Sequence, residues 1–135
     1  MKHLILLLTP LLLTVLVHAQ TIRNGGGSTT GYIDSDGIIK NSSYSIVGYI
    51  KKDGTIQNSS YSTIGYVKSD GTVQNASYST VGYIKKDGTV QNSSYSTIGY
   101  VKDDGTVQNS SHSTIGRASM VKREWVAVLF FFFDF

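Results

Sequence analysis

Between Gly31 and Ile115 the apolar and polar positions recur every 17 residues, and the copies begin at Gly31, Gly48, Gly65, Gly82 and Gly99. Each copy has a Gly-Tyr-Ile/Val run, then Asp-Gly, then Thr-Val-Gln-Asn or a close variant. Short β-branched and aromatic stretches broken by turn residues predict two strands per unit. Recurring Gly, Ser, Asn and Thr leave no run of ten good helix formers, so helix is not expected there. A fixed period also means that one unit cannot bury its apolar face alone and needs neighbours. The segment Thr21–Thr30 joins the pattern as a half repeat: Ile22, Asn24, Ser28 and Thr29 fall in the register of Val90, Asn92, Ser96 and Thr97.

The parity of the apolar positions selects the turn. A two-residue turn at Asp87-Gly88 would send Ile84 and Val90 to opposite faces. A three-residue loop, Lys86-Asp87-Gly88, pairs Lys85 with Thr89 and Ile84 with Val90, as in a type I turn closed by a left-handed glycine. Gly37, Gly54, Gly71, Gly88 and Gly105 are therefore expected as structural turn residues at five hairpin tips. Within the incoming strand Ile98 and Tyr100 share one face and Thr97, Gly99 and Val101 the other. Bulk on both faces predicts cover on both sides, supplied by hairpins ranged around an axis or by stacked coils of a β-solenoid.

After Ile115 the pattern stops, and the chain closes with Trp125 and the apolar run Val126–Phe133, then Asp134-Phe135. Left exposed, such a run is an aggregation hazard. It reads as a C-terminal strand apolar on both faces, a central plug that includes Trp125, Phe130, Phe131, Phe132, Phe133 and Phe135. The organisation is then 1–19 leader, 20–30 half repeat and Gly-rich connection, 31–115 repeats, and 116–135 plug segment.

The leader reading rests on Met1-Lys2-His3, an apolar stretch from Leu4 to Val17 and the small-residue site Val17-His18-Ala19. This is the pattern of a secretory signal peptide, and the stretch is shorter than the roughly 20 residues of a membrane span. The expected mature chain starts at Gln20, is exported to the periplasm or cell exterior, and keeps no membrane span. No cysteine is present, so an exported fold has no disulfide to rely on. Removing Lys2 from the twelve basic residues leaves eleven against nine acidic, a balance of +2 that gives no nucleic-acid footprint.

Candidate chemistry is sparse. Asp34-Ser35-Asp36-Gly37 resembles part of a calcium loop, but Tyr32 and Ser43 stand where further acids are required. His112 is the one histidine after the leader and occupies the place held by Tyr44, Tyr61, Tyr78 and Tyr95; Glu124 is the one glutamate. Neither a zinc site nor an activated serine can be assembled from these, so no enzyme, metal or cofactor is expected. The Asn-x-Ser triplets at Asn41, Asn58, Asn75, Asn92 and Asn109 read as turns rather than glycosylation acceptors. Tyr32, Tyr49, Tyr66, Tyr83 and Tyr100 have two readings. They fill space between hairpins, or they form a shallow repeated surface that stacks on sugar rings and gains avidity from a repetitive ligand.

The signal peptide, the Gly-Tyr-Ile/Val-Lys-x-Asp-Gly-Thr-Val/Ile-Gln unit and the Glu124-Trp125-Val126-Ala127 lead into the phenylalanines resemble the five-fold β-flower proteins, small exported bacterial proteins. The resemblance implies five hairpin petals about a pseudo-five-fold axis, implies no established activity, and transfers no functional residue. One pattern sits against it. Thr21-Ile22-Arg23-Asn24 has the form of an outgoing strand and Ser113-Thr114-Ile115-Gly116 that of an incoming one, which together would make a sixth hairpin. The function expected is that of an exported, non-enzymatic structural or interaction protein, a monomer. The alternative is a multivalent binder of carbohydrate or cell-envelope glycan.

Overall fold

The computed structural model describes residues 20–135; the signal-peptide reading of Met1–Ala19 lies outside them. The strands are β1 (Gln20–Asn24), β2 (Thr29–Ile33), β3 (Ile38–Asn41), β4 (Ile46–Ile50), β5 (Thr55–Asn58) and β6 (Thr63–Val67). They continue as β7 (Thr72–Asn75), β8 (Thr80–Ile84), β9 (Thr89–Asn92), β10 (Thr97–Val101), β11 (Thr106–Asn109) and β12 (Thr114–Arg117). All twelve form one closed antiparallel barrel in sequence order, with β1 paired to β12. A closed ring of this kind is not a solenoid. Nor does the count stop at five: the five complete units are joined by a sixth, built from the two ends of the chain, so the ring holds six strand pairs.

The three-residue Asp-Gly loop sets the register of each hairpin. Ile84 pairs with Val90, the Lys85 N–H donates to the Thr89 carbonyl at 2.8 Å, and the Gly88 N–H to the Lys85 carbonyl at 3.0 Å. With that register Ile33, Ile50, Val67, Ile84 and Val101 point inward together with Ile39, Ile56, Val73, Val90 and Val107, and all ten are buried. Tyrosine and glutamine on the alternate positions face outward and are half-buried. The expected cover on both faces is therefore replaced by an apolar lumen and a polar outer wall. Each even-numbered strand also carries a register shift, as between Thr97 and Gly99 in β10. The extra residue there, Ile98, and its counterparts Val47, Ile64, Val81 and Ile115 are partly buried against the core. Bulges of this kind sharpen strand twist, which helps such short strands curl into a ring.

The C-terminal segment is a helix, not the expected strand. Arg123–Ala127 forms α1, and Val128–Phe132 continues it as a π-helical segment. An apolar run suits a buried strand or a buried helix equally well by periodicity; once the barrel has satisfied its own backbone, only a helix can satisfy an isolated segment's backbone internally. Trp125, Val126, Ala127 and Val128 are buried in the same apolar cluster as the barrel's isoleucines and valines.

The phenylalanines meet the first letter of every repeat after the first; at Gly31 a Cβ would meet the Lys40 carbonyl oxygen instead. A Cβ placed on Gly116, Gly99, Gly82, Gly65 or Gly48 would collide with the ring of Phe130, Phe131, Phe132, Phe133 or Phe135 respectively. Successive aromatic residues thus fan out onto successive hairpins, each ring lying against bare backbone. Glycine is required there for close approach, not for a turn.

Candidate functional site: the outer aromatic grooves

The outer wall carries five stacked aromatic pairs, each joining a strand to the loop twelve residues on. Tyr32 stacks on Tyr44, Tyr49 on Tyr61, Tyr66 on Tyr78, Tyr83 on Tyr95 and Tyr100 on His112, with centroids 4.6–4.9 Å apart and planes within 15°. The strand member of each pair is the predicted candidate. The loop member was not singled out from sequence, and its position depends on an unusual backbone. Tyr44, Tyr61, Tyr78, Tyr95 and His112 all have φ of 66–68°, the left-handed region that bulky side chains rarely adopt.

The loop itself enforces that conformation. In Asn92-Ser93-Ser94-Tyr95-Ser96 the Asn92 N–H donates to the Ser96 carbonyl at 2.9 Å and the Tyr95 N–H to the Asn92 carbonyl at 3.0 Å. The Asn92 Oδ1 accepts from the N–H groups of Ser94 and Ser96 at 2.9 and 3.1 Å. Asn24, Asn41, Asn58, Asn75 and Asn109 repeat this arrangement, so the Asn-x-Ser asparagines have their side-chain oxygens committed to local turns. The Asp-Gly loops use the same fold with glycine in the third place: Gly37, Gly54, Gly71, Gly88 and Gly105 have φ between 83° and 94°.

Three of the pairs are also joined at their tips. Phenol oxygens meet at 3.1 Å in Tyr49–Tyr61, 3.0 Å in Tyr66–Tyr78 and 3.1 Å in Tyr83–Tyr95. That hydrogen bond, followed by partial desolvation, raises the pKa of Tyr49, Tyr66 and Tyr83 above the ordinary phenol value. In the neighbouring tips the carboxyls of Asp53, Asp70, Asp87 and Asp104 are held below the usual range. The first cause is the N–H of the threonine two residues on, followed by its hydroxyl.

Between adjacent hairpins these groups line grooves. One, of about 540 Å³, is bordered by Asp70, Tyr83, Lys85, Lys86, Gln91 and Tyr95; the next, of about 230 Å³, by Asp87, Tyr100, Lys102, Asp103, Gln108 and His112. The two linings correspond position by position at a spacing of 17. A third hollow, of about 280 Å³, lies at the Asp-Gly end among Gln20, Ile33, Asp34, Lys52, Val121 and Trp125. It separates the start of β1 from α1, where the Lys122 ammonium sits 5.2 Å over the Trp125 ring. Arg123 reaches from α1 to the Asp103 carboxylate and the Lys86 carbonyl.

Among the described residues no three His, Cys, Asp or Glu side chains converge as metal ligands, and no helix is long and apolar enough to cross a membrane. Strands of four or five residues also fall short of the roughly 9–11 that a membrane-spanning strand needs. Neither curated proteins nor solved structures returned a match. The family model described as "5-fold beta-flower protein" matches residues 19–134. With the match running from the residue before β1 to the residue after the fourth consecutive phenylalanine, the chain belongs to the 5-fold β-flower protein family.

Proposed function

We propose that this is an exported, monomeric, non-enzymatic interaction protein whose outer grooves bind a repetitive glycan, with the C-terminal helix as the central plug of the barrel. The family has no known catalytic activity. The observation that carries the binding reading is the recurrence of one groove chemistry at a spacing of 17. A stacked aromatic wall, a Gln and a Lys stand beside an Asp from the preceding tip. Aromatic faces pack on the apolar faces of sugar rings while amide, ammonium and carboxylate groups address hydroxyls. Weak equivalent sites gain avidity when the ligand repeats as they do.

A glycan array followed by titrations at several valencies tests this. Affinity should rise with ligand valency, and Tyr83→Ser with Tyr100→Ser should lower it at least tenfold without loss of fold. Silence on polymeric and small glycans alike removes the binding reading and leaves a purely structural role. The plug reading is supported by the fan of phenylalanines on Gly48, Gly65, Gly82, Gly99 and Gly116. Deleting Trp125–Phe135 should give an insoluble or unfolded chain; a soluble product with intact β-sheet circular dichroism would overturn it.

A further inference from the structure

The outer wall changes chemistry at one place, the seam where β1 meets β12. In the five complete units the strand tyrosine faces Lys40, Gln57, Gln74, Gln91 or Gln108 across its hairpin. At the seam Arg117 holds the tyrosine's place and Arg23 lies directly opposite it. Two like charges at facing positions on adjacent strands repel each other. The neutralisation at hand is weak: Asp104 Oδ2 is 4.0 Å from Arg117 Nη1, and both side chains are about half or more exposed. Arg23 Nη1 donates to the Gly27 carbonyl at 3.1 Å, which anchors one guanidinium at the edge of the seam.

The second aromatic is missing as well. Gly27 stands in the slot of Tyr44, Tyr61, Tyr78 and Tyr95, with the same kind of left-handed backbone (φ 86°), and a Cβ there would meet nothing within 4 Å. The positions that hold an aromatic pair and a Gln or Lys in the other units thus hold two guanidiniums at the seam, with one carboxylate nearby and open space at Gly27. Arginine's planar fork of donors matches the geometry of oxyanions, and a bound anion would relieve the repulsion of the facing pair.

We propose that the seam between Arg23 and Arg117 binds an oxyanion, the carboxylate or sulfate of an acidic sugar, beside the neutral-sugar grooves. The identity of the carrier rests on the glycan reading above; anion binding at the seam does not. The test uses the full mature chain and nitrogen-15 NMR of the arginine Nε groups. Titration with sodium sulfate should shift Arg23 and Arg117 ahead of Arg123, and a sulfated oligosaccharide should bind at least tenfold more tightly than its unsulfated counterpart.

The double variant Arg23→Gln, Arg117→Tyr makes the seam resemble the other units. It should abolish the preference for the sulfated ligand while leaving the neutral oligosaccharide's affinity unchanged and the melting temperature no lower than the parent's. Sulfate shifts at Arg23 and Arg117 in a protein that binds neither neutral nor sulfated glycans would keep the seam and sink the glycan reading. Sulfate shifts spread evenly over the lysine-bearing tips, or an unchanged preference in the double variant, would overturn the anion site.

Discussion

The two ends of the barrel use one loop with opposite residues in its decisive place. At the Asp-Gly end the third loop residue is always glycine; at the Asn end it is tyrosine or histidine, with Gly27 the exception. Positive φ alone cannot account for this, since both ends have it. The difference lies in what a side chain would meet. A Cβ on Gly37, Gly54, Gly71 or Gly88 would strike the carbonyl oxygen of Ile50, Val67, Ile84 or Val101 on the next hairpin, and on Gly105 it would lie 2.6 Å from the Ala118 oxygen. Those residues are held close because their N–H groups donate to the glycine carbonyls, as Val101 N–H does to the Gly88 carbonyl at 2.8 Å. At the Asn end the slot is open, and the strain of a left-handed tyrosine is offset by stacking on the strand tyrosine. Left-handed slots demand glycine where a neighbour's backbone crowds them, and accept an aromatic where one waits to stack.

The sharpest way to break this comparison is Gly71→Ala. A single methyl there combines a left-handed backbone with a collision against the Ile84 carbonyl, so a loss of about 3 kcal/mol or more is expected in urea or thermal unfolding. If Ala costs no more here than at an open slot, crowding is not the reason for glycine. Tyr78→Ala at the opposite end should cost about 0.5–1.5 kcal/mol, the worth of a stacked aromatic pair, and Tyr66→Ala about the same; the double variant should show the two to be strongly non-additive.

Titration separates the ends by sign. The depressed carboxyls of Asp53, Asp70, Asp87 and Asp104 add stability that is present above the unfolded value of about 3.9 and lost as pH falls through their lower folded values. The raised phenols of Tyr49, Tyr66 and Tyr83 add stability present below about 10 and lost as pH rises through their folded values. Unfolding curves of Asp87→Asn should lose part of the acid-side slope, and those of Tyr66→Phe part of the alkaline slope, each leaving the other side unchanged. The smallest effect is expected at Lys85→Ser, within about 0.5 kcal/mol of the parent.

Much of the barrel could be read from Ile84 and Val90, whose parity admits one loop length. The same parity applied to Asn92 and Ser96 would have placed Tyr95 in the left-handed slot, and the alignment of Gly27 with Tyr44 was a visible hint. Tyr–Tyr stacking was not legible, because a twelve-residue separation says nothing of distance until both loops are built. The helical state of the tail was hidden by a run apolar at every position, which carries no period. The recurring Gly48, Gly65, Gly82, Gly99 and Gly116 and the five phenylalanines were both in view. What was missing was the inward direction of the glycines, which depends on the ring being closed. The ring count was legible in part: five complete repeats could be counted, and the outgoing form of Thr21–Asn24 with the incoming form of Ser113–Gly116 offered the sixth hairpin that the pairing of Arg23 with Arg117 completes.

Closure between β1 and β12 also bears on how the chain assembles. Every other strand pairs with its immediate neighbours in sequence, so the barrel can grow hairpin by hairpin from contacts of short span, the kind that form quickly. One pairing must then bring together residues nearly a hundred positions apart, and until it forms the growing sheet has two open edges. An arc caught in that state could add the edge of another chain in place of its own, which makes the interval before closure the moment when self-association competes with folding.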